Sequence, residues 1–79
     1  MPSILIHLLN EDPVLGEVDA LPAVNDMLVC LKNPRYRDGK DLRYLELNVN
    51  TVMWPISRIN FIEIMPSGEE EEIISHFRE

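Results

Sequence analysis

The chain has little of several residue types that mark common protein classes. Its 79 residues include one cysteine, three glycines and seven basic residues. One cysteine cannot form an internal disulfide, and Cys30 lies among aliphatic residues, so we expect a buried thiol and a reducing, cytoplasmic location. Three glycines are too few to build a Gly-rich phosphate loop. The short apolar run near the N-terminus has no basic segment before it. We therefore expect neither a signal peptide nor a membrane-spanning segment.

Acidic residues outnumber basic ones by fourteen to seven, which gives a formal charge of −7. This charge repels nucleic-acid phosphates and anionic membranes, so any nucleic-acid role must come from a local basic patch. The length predicts one domain, and a domain of this size buries only about 60% of its unfolded surface. We therefore expect modest stability unless chains associate.

Residues with catalytic or metal-binding chemistry are isolated from one another. Asp38 and Asp41 lie near a turn, but their spacing fits no calcium loop and neighbouring basic residues oppose a cation. The two histidines and Cys30 lack metal-ligand spacing. No nucleophile motif and no paired carboxylates in a catalytic frame occur. We therefore expect no cofactor, no metal and no enzymatic activity.

Short apolar runs separated by turn residues predict a mainly β fold. Gly16 lies inside the second run and predicts a bend or bulge there. Asn33 to Asp41 predicts a long loop with an Asp-Gly turn. The predicted strands are residues 3–9, 14–21, 26–32, 42–48 with a continuation to 54, and 58–65.

Several of these strands are apolar on both sides. Ile4 and Ile6 alternate with Leu5 in the first strand, and Leu28 and Cys30 alternate with other apolar residues in the third. An antiparallel sheet with one solvated face should alternate between apolar and polar residues. We therefore expect cover on both faces, from a terminal helix or from a second subunit.

The composition of the chain changes after Pro66. Ser67 and Glu70 have the spacing of a capping box, and Ile73 and Phe77 lie four residues apart. We predict a short helix at about residues 68–78. The expected organisation is thus a β domain at residues 1–66 and an acidic amphipathic helix at residues 67–79 that packs on the domain or on a partner.

Basic residues are concentrated near the long loop. Five of the seven lie within twelve positions, and an aromatic residue lies between two of them. Three interpretations remain: a solvated hairpin loop balanced by its own aspartates, a contact for a protein or other acidic partner, or a site for single-stranded RNA. The candidate residues are Lys32, Arg35, Tyr36, Arg37, Lys40 and Arg43.

Two further residues are interpreted as structural. His7 lies in the first predicted strand and is expected to be a structural or interface histidine. Trp54 is the single tryptophan of a small chain and is expected in the core or in an interface.

The order of strands and polar residues resembles the Sm-like family of small β-barrels. In that family an apolar strand, a bend glycine, an Asp, an Asn and a further apolar strand form the first motif. The matching residues here are Ile4, Ile6, Leu8, Gly16, Asp19, Asn25 and residues 27–31, and residues 52–59 correspond to the second motif.

The resemblance implies a strongly bent, five-stranded antiparallel sheet or barrel of Sm-like or SH3-like type, with the helix at its C-terminal end. It also implies a homo-oligomeric ring formed by edge-strand pairing. The Arg-Gly turn that forms the family's RNA-binding pore is missing from this chain. We therefore expect a non-enzymatic, homo-oligomeric scaffold or adaptor that binds protein partners, with single-stranded RNA binding through the basic loop as the alternative.

Overall fold

The structure is a computed structural model and describes residues 1–66. The chain forms one antiparallel sheet of five strands in the order β4-β3-β2-β1-β5, with a 3₁₀ turn at Ile56–Arg58 between the last two. The strands are β1 (Ser3–Leu8), β2 (Val14–Glu17), β3 (Leu28–Tyr36), β4 (Thr51–Pro55) and β5 (Ile59–Met65). The predicted mainly β, five-stranded antiparallel architecture is confirmed. The predicted helix at residues 68–78 lies outside the described residues.

A single apolar cluster holds the sheet together. Ile4 and Ile6 of β1 are fully buried at its centre, and Trp54 of β4 belongs to the same cluster. Ile62 of β5 packs against it from the other edge of the sheet. Because both edge strands contact one core, the sheet curls around it. Trp54, which was expected in the core or in an interface, lies in the core.

Gly16 lies at an irregularity between β2 and β3. Leu15 pairs with Arg35 and Glu17 with Lys32, so Gly16 faces two residues of β3, Asn33 and Pro34. A Cβ on Gly16 would lie 2.8 Å and 2.9 Å from the two methyl carbons of Leu31. A bulge accepts proline because the extra residue donates no ladder hydrogen bond. Of the bend or bulge predicted at Gly16, the structure has the bulge, and β3 supplies the extra residue.

A second bulge explains the mixed faces of β5. His7 pairs with Phe61 and Leu8 pairs with Ile59, which leaves Asn60 as an extra residue. The extra residue reverses the alternation of side chains along the strand. Ile59 and Ile62 therefore both pack on the core, while Phe61 lies on the outer face against His7.

Two predicted boundaries are wrong. The strand predicted at residues 42–48 is a series of turns, and β4 begins only at Thr51. The loop predicted at residues 33–41 is shorter, because β3 continues through the bulge to Tyr36. Leu42 explains the first error: it is apolar because it is buried in the core, although it is outside any strand.

The prediction of a buried thiol at Cys30 is also wrong, since Cys30 is exposed. Val29 and Leu31 of β3 face the core, so strand alternation turns Cys30 and Leu28 outward. Within residues 1–66, this outer part of β3 has no cover. Leu5 differs, because it is buried although its neighbours Ile4 and Ile6 face the core.

Candidate functional site

The six residues proposed as contacts separate into two groups in the structure. Lys32 and Arg35 lie on β3 and are paired with acidic residues. Lys32 Nζ lies 3.0 Å from the carboxylate of Asp19, and Arg35 donates from Nη2 to Glu17 Oε2 at 2.8 Å. The hydrogen bond from Arg35 holds the pKa of Glu17 below its ordinary value and raises the pKa of Arg35. These two cations therefore hold β2 and its following loop against β3.

The second group lies at the hairpin that follows β3. Tyr36 N donates to Lys40 O at 2.9 Å, and Gly39 N donates to Tyr36 O at 2.9 Å. Gly39 has a φ of 90°, which a residue with a side chain rarely adopts. Lys40 N donates to Asp38 Oδ1 at 3.0 Å. These bonds define the turn that carries Arg37 and Lys40, and Arg43 follows three residues after Lys40.

Those three cations line one open groove of about 550 Å³ together with Tyr36. We call this surface the basic groove and define it by Tyr36, Arg37, Lys40 and Arg43. Within residues 1–66, Arg37, Lys40 and Arg43 form no ion pair, whereas Lys32 and Arg35 do. Asp12, Asp38 and Asp41 line the same groove. The groove therefore combines cationic side chains that can bind anions with carboxylates that can accept hydrogen bonds.

Tyr44 lies close to the basic groove. Burial raises the pKa of Tyr44, and the nearby Glu11 and Tyr36 raise it further. The hydroxyl of Tyr44, like that of an ordinary tyrosine, is protonated at neutral pH and can donate a hydrogen bond.

The two loop residues suggested by the Sm-like resemblance have different roles. Asp19 pairs with Lys32, while Asn25 lies exposed in a turn at residues 24–25. Asp26 organises this loop, because its Oδ2 accepts from Ala23 N at 2.8 Å. The prediction missed Asp26, although an aspartate after a proline-containing turn is a known local signal.

The two edges of the sheet expose apolar side chains. Ile64 of β5 lies opposite the fully buried Ile4 but is itself 61% exposed. Phe61 and Met65 of β5 and Met53 of β4 are also exposed. Ile62 and Ile64 face the same side of the sheet, yet only Ile62 packs against the core.

His7 connects β1 to the edge strand β5. Its Nε2 lies 2.6 Å from Glu63 Oε1, and its ring stacks on Phe61 with centroids 4.0 Å apart. The one charged side chain of β5 is thus engaged with β1. The interpretation of His7 as a structural residue is supported by these contacts.

No protein-family model, curated protein or solved structure matches the chain. In the part of the chain that the structure describes, no helix is long and apolar enough to cross a membrane. Over the same residues, no group of three or more His, Cys, Asp or Glu side chains could hold a metal ion. Two features thus remain as candidate functional surfaces, namely the basic groove and the pair of sheet edges.

Proposed function

We propose that the protein is a non-enzymatic, homo-oligomeric scaffold that binds protein partners. In this proposal, β4 of one subunit pairs with β5 of the next and continues the antiparallel sheet. Each subunit has one edge of each kind, so this association joins unlike surfaces and closes into a ring when the rotation permits. The Sm-like resemblance implies the same type of assembly. The single thiol, Cys30, favours a cytoplasmic location for it.

The exposure of Ile64 carries the proposal. This side chain extends the inner row of the sheet, opposite Ile4, yet 61% of it is exposed. A strand paired beside β5 would cover it with the next residues of the same row. Burial of a side chain of this size contributes about 1.5–3 kcal/mol.

The two edge strands carry little of the usual protection against pairing beyond the bulge at Asn60, near the start of β5. Natural edges carry charges, prolines or bulges that prevent another strand from adding. β4 contains no charged residue, and its proline is the last residue of the strand. β5 contains Glu63 alone, and that carboxylate is bound by His7. Both edges are therefore chemically suited to pairing.

The test is the mass of the full chain in solution. Multi-angle light scattering after size exclusion, from low to high micromolar concentration, should give a defined multiple of the 9.2 kDa chain mass. A chain that remains monomeric over this range would overturn the proposal. A mass that keeps growing as the concentration rises would indicate an open filament, built on the same contact, in place of a closed ring.

Single-stranded RNA binding remains the second candidate, because Arg37, Lys40 and Arg43 lie beside Tyr36 in the basic groove. Cations and an aromatic ring bind phosphates and stack on bases. The test is titration with a labelled oligouridylate at two salt concentrations, since phosphate contacts require an affinity that falls with salt. Absence of binding at low salt excludes this candidate.

A further inference from the structure

We propose that His7 makes association through β5 sensitive to pH, because protonation of its imidazole neutralises Glu63 and favours pairing of β5 with β4 of the next subunit. The inference rests on the proposed pairing of these two edges. It adds a regulation to that contact, with stronger association near pH 6 than near pH 8.

His7 and Glu63 lie diagonally across the ladder between β1 and β5. His7 pairs with Phe61 and Leu5 pairs with Glu63, so both side chains lie on the outer face of the sheet. His7 Nε2 lies 2.6 Å from Glu63 Oε1, which is hydrogen-bond distance. The imidazole also stacks on the ring of Phe61, with the two planes 16° apart. These two contacts hold the imidazole beside the carboxylate.

The other charged groups on the segments that flank His7 do not compete for it. Among the ion pairs within residues 1–66, Glu63 is the one acidic partner of His7. On β2 the charged residue is Glu17, which lies opposite Ser3 and is bound by Arg35. The remaining charged residues of the adjoining turns are exposed and form no ion pair over the same part of the chain; they are Glu11, Asp12 and Arg58.

The charge of Glu63 matters because β5 is an edge strand, and a charged side chain on an edge opposes the addition of another strand. Glu63 is the one charged residue of β5, and 53% of its side chain is exposed. β4, the strand proposed to pair with it, has no charged residue that could compensate the carboxylate. While His7 is neutral, pairing therefore takes water away from an uncompensated charge, which costs free energy. Protonated His7 supplies the counter-charge within the same subunit.

The direction of the pH dependence follows from these charges. A histidine ordinarily changes charge between about pH 5 and 8, whereas a glutamate ordinarily stays ionised over that range. Lower pH thus converts the edge from one net negative charge to none. Because both side chains are partly exposed, we expect the concentration at the midpoint of association to be about fivefold lower at pH 6 than at pH 8.

Dilution series of the full chain at pH 6, 7 and 8, at one ionic strength, measure this effect by light scattering. Two variants should change it in opposite ways. His7→Gln cannot become charged, so at every pH it should associate as the parent chain does at pH 8. Glu63→Gln removes the charge of the edge, so at pH 8 it should associate as tightly as the parent does at pH 6, with no gain at lower pH.

His76→Gln is the matched control, because it removes the other histidine of the chain. It should retain the fivefold dependence of the parent. Circular dichroism of each variant shows whether the β fold is retained.

Nitrogen NMR tests the contact between His7 and Glu63 without reference to assembly. The sample is the Ile64→Lys chain at pH 8, in which the charged edge should prevent association. We expect the neutral ring of His7 to carry its proton on Nε2, where the Glu63 carboxylate accepts it. A neutral ring with its proton on Nδ1 would overturn the proposed switch.

The outcomes separate the switch from the edge pairing. Assembly with equal strength at pH 6 and pH 8 overturns the switch and leaves the pairing. A pH dependence that persists in His7→Gln or in Glu63→Gln also overturns the switch, since other groups would then be titrating. A chain that is monomeric at every pH overturns both proposals.

Discussion

Arg35 of β3 and Glu17 of β2 form a bidentate ion pair. Nη2 donates to Oε2 at 2.8 Å and Nη1 donates to Oε1 at 3.2 Å, with both side chains more than two-thirds buried. Such bidentate pairs have fixed geometry and are stronger than single contacts. The pair lies beside the bulge at Gly16, where the strand register changes. It therefore secures the irregular part of the sheet.

Replacement of Glu17 should make stability less dependent on pH. Because Arg35 lowers the pKa of Glu17 in the folded protein, the pair contributes stability above the unfolded pKa near 4.5 and loses it as pH falls through the folded value. Glu17→Gln should lower the free energy of unfolding by about 1 kcal/mol at pH 7, with a shrinking difference below pH 4.5.

Urea unfolding at several pH values from 7 to 3 measures this effect. Glu46→Gln, at an exposed residue without an ion pair within residues 1–66, is the matched control. A difference that stays constant with pH would contradict the role of the Glu17 charge.

Gly16→Ala should destabilise the fold because its Cβ would collide with Leu31. Overpacking of this kind costs about 1–3 kcal/mol. In a double-mutant cycle, Leu31→Ala should relieve part of that cost, since it removes the atoms that collide. Gly39→Ala is the control, because its strain of about 1 kcal/mol comes from a positive φ and not from contacts. Strict additivity of Gly16→Ala and Leu31→Ala would contradict the packing explanation.

Two leucines in the segment between β3 and β4 should respond very differently to truncation. Leu42 is 5% exposed and belongs to the core, whereas Leu47 is 92% exposed. Leu42→Ala should cost about 2–4 kcal/mol, and Leu47→Ala should cost less than about 0.5 kcal/mol. Thermal or urea unfolding measures both. Equal effects of the two substitutions would contradict the placement of Leu42 in the core and of Leu47 in solvent.

Cys30 should react in the native protein. Its position on the outer face of β3 leaves the thiol accessible to a disulfide reagent such as DTNB. We expect one thiol per chain to react without denaturant, at a rate within about tenfold of that in urea. Protection of the thiol until unfolding would contradict the outward orientation of Cys30.

Ile64→Lys should abolish assembly and leave the subunit folded. A charge on the inner row of an edge strand opposes addition of a second strand. Light scattering should show a monomer with an unchanged far-ultraviolet spectrum. Val24→Lys, which changes a fully exposed residue in the loop before β3, should assemble as the parent does. Assembly of the Ile64→Lys chain would show that β5 is not the contact.

Local patterns predicted much of the sheet. β1 and β5 lie within one residue of their predicted bounds, because mainly apolar segments end at clear turn residues. The predictions failed where long-range contacts override local preference. Pro34 and Asn33 resemble loop residues, yet they lie within β3 because the bulge opposite Gly16 accommodates them.

Clustering in the sequence grouped six candidate residues from Lys32 to Arg43. Four of them line the groove, together with Asp12, Asp38 and Asp41, which the prediction did not include. It could not separate Lys32 and Arg35 from the rest, because their partners Asp19 and Glu17 are more than ten residues away in the chain. The exposure of Ile64 could likewise not be predicted from the sequence, since an isoleucine in an apolar strand is usually buried.

The order of residues alone determines the class of this protein, its acidity and the number of its strands, because alternation, turn chemistry and charge are local properties. Pairing across the sheet determines which cations remain available and which apolar side chains stay exposed. Arg35 is neutralised by a residue eighteen positions away, and Ile64 lies at an edge because no strand within residues 1–66 follows it in the sheet. Such properties arise only when distant segments meet, since they depend on neighbours that the chain order does not specify.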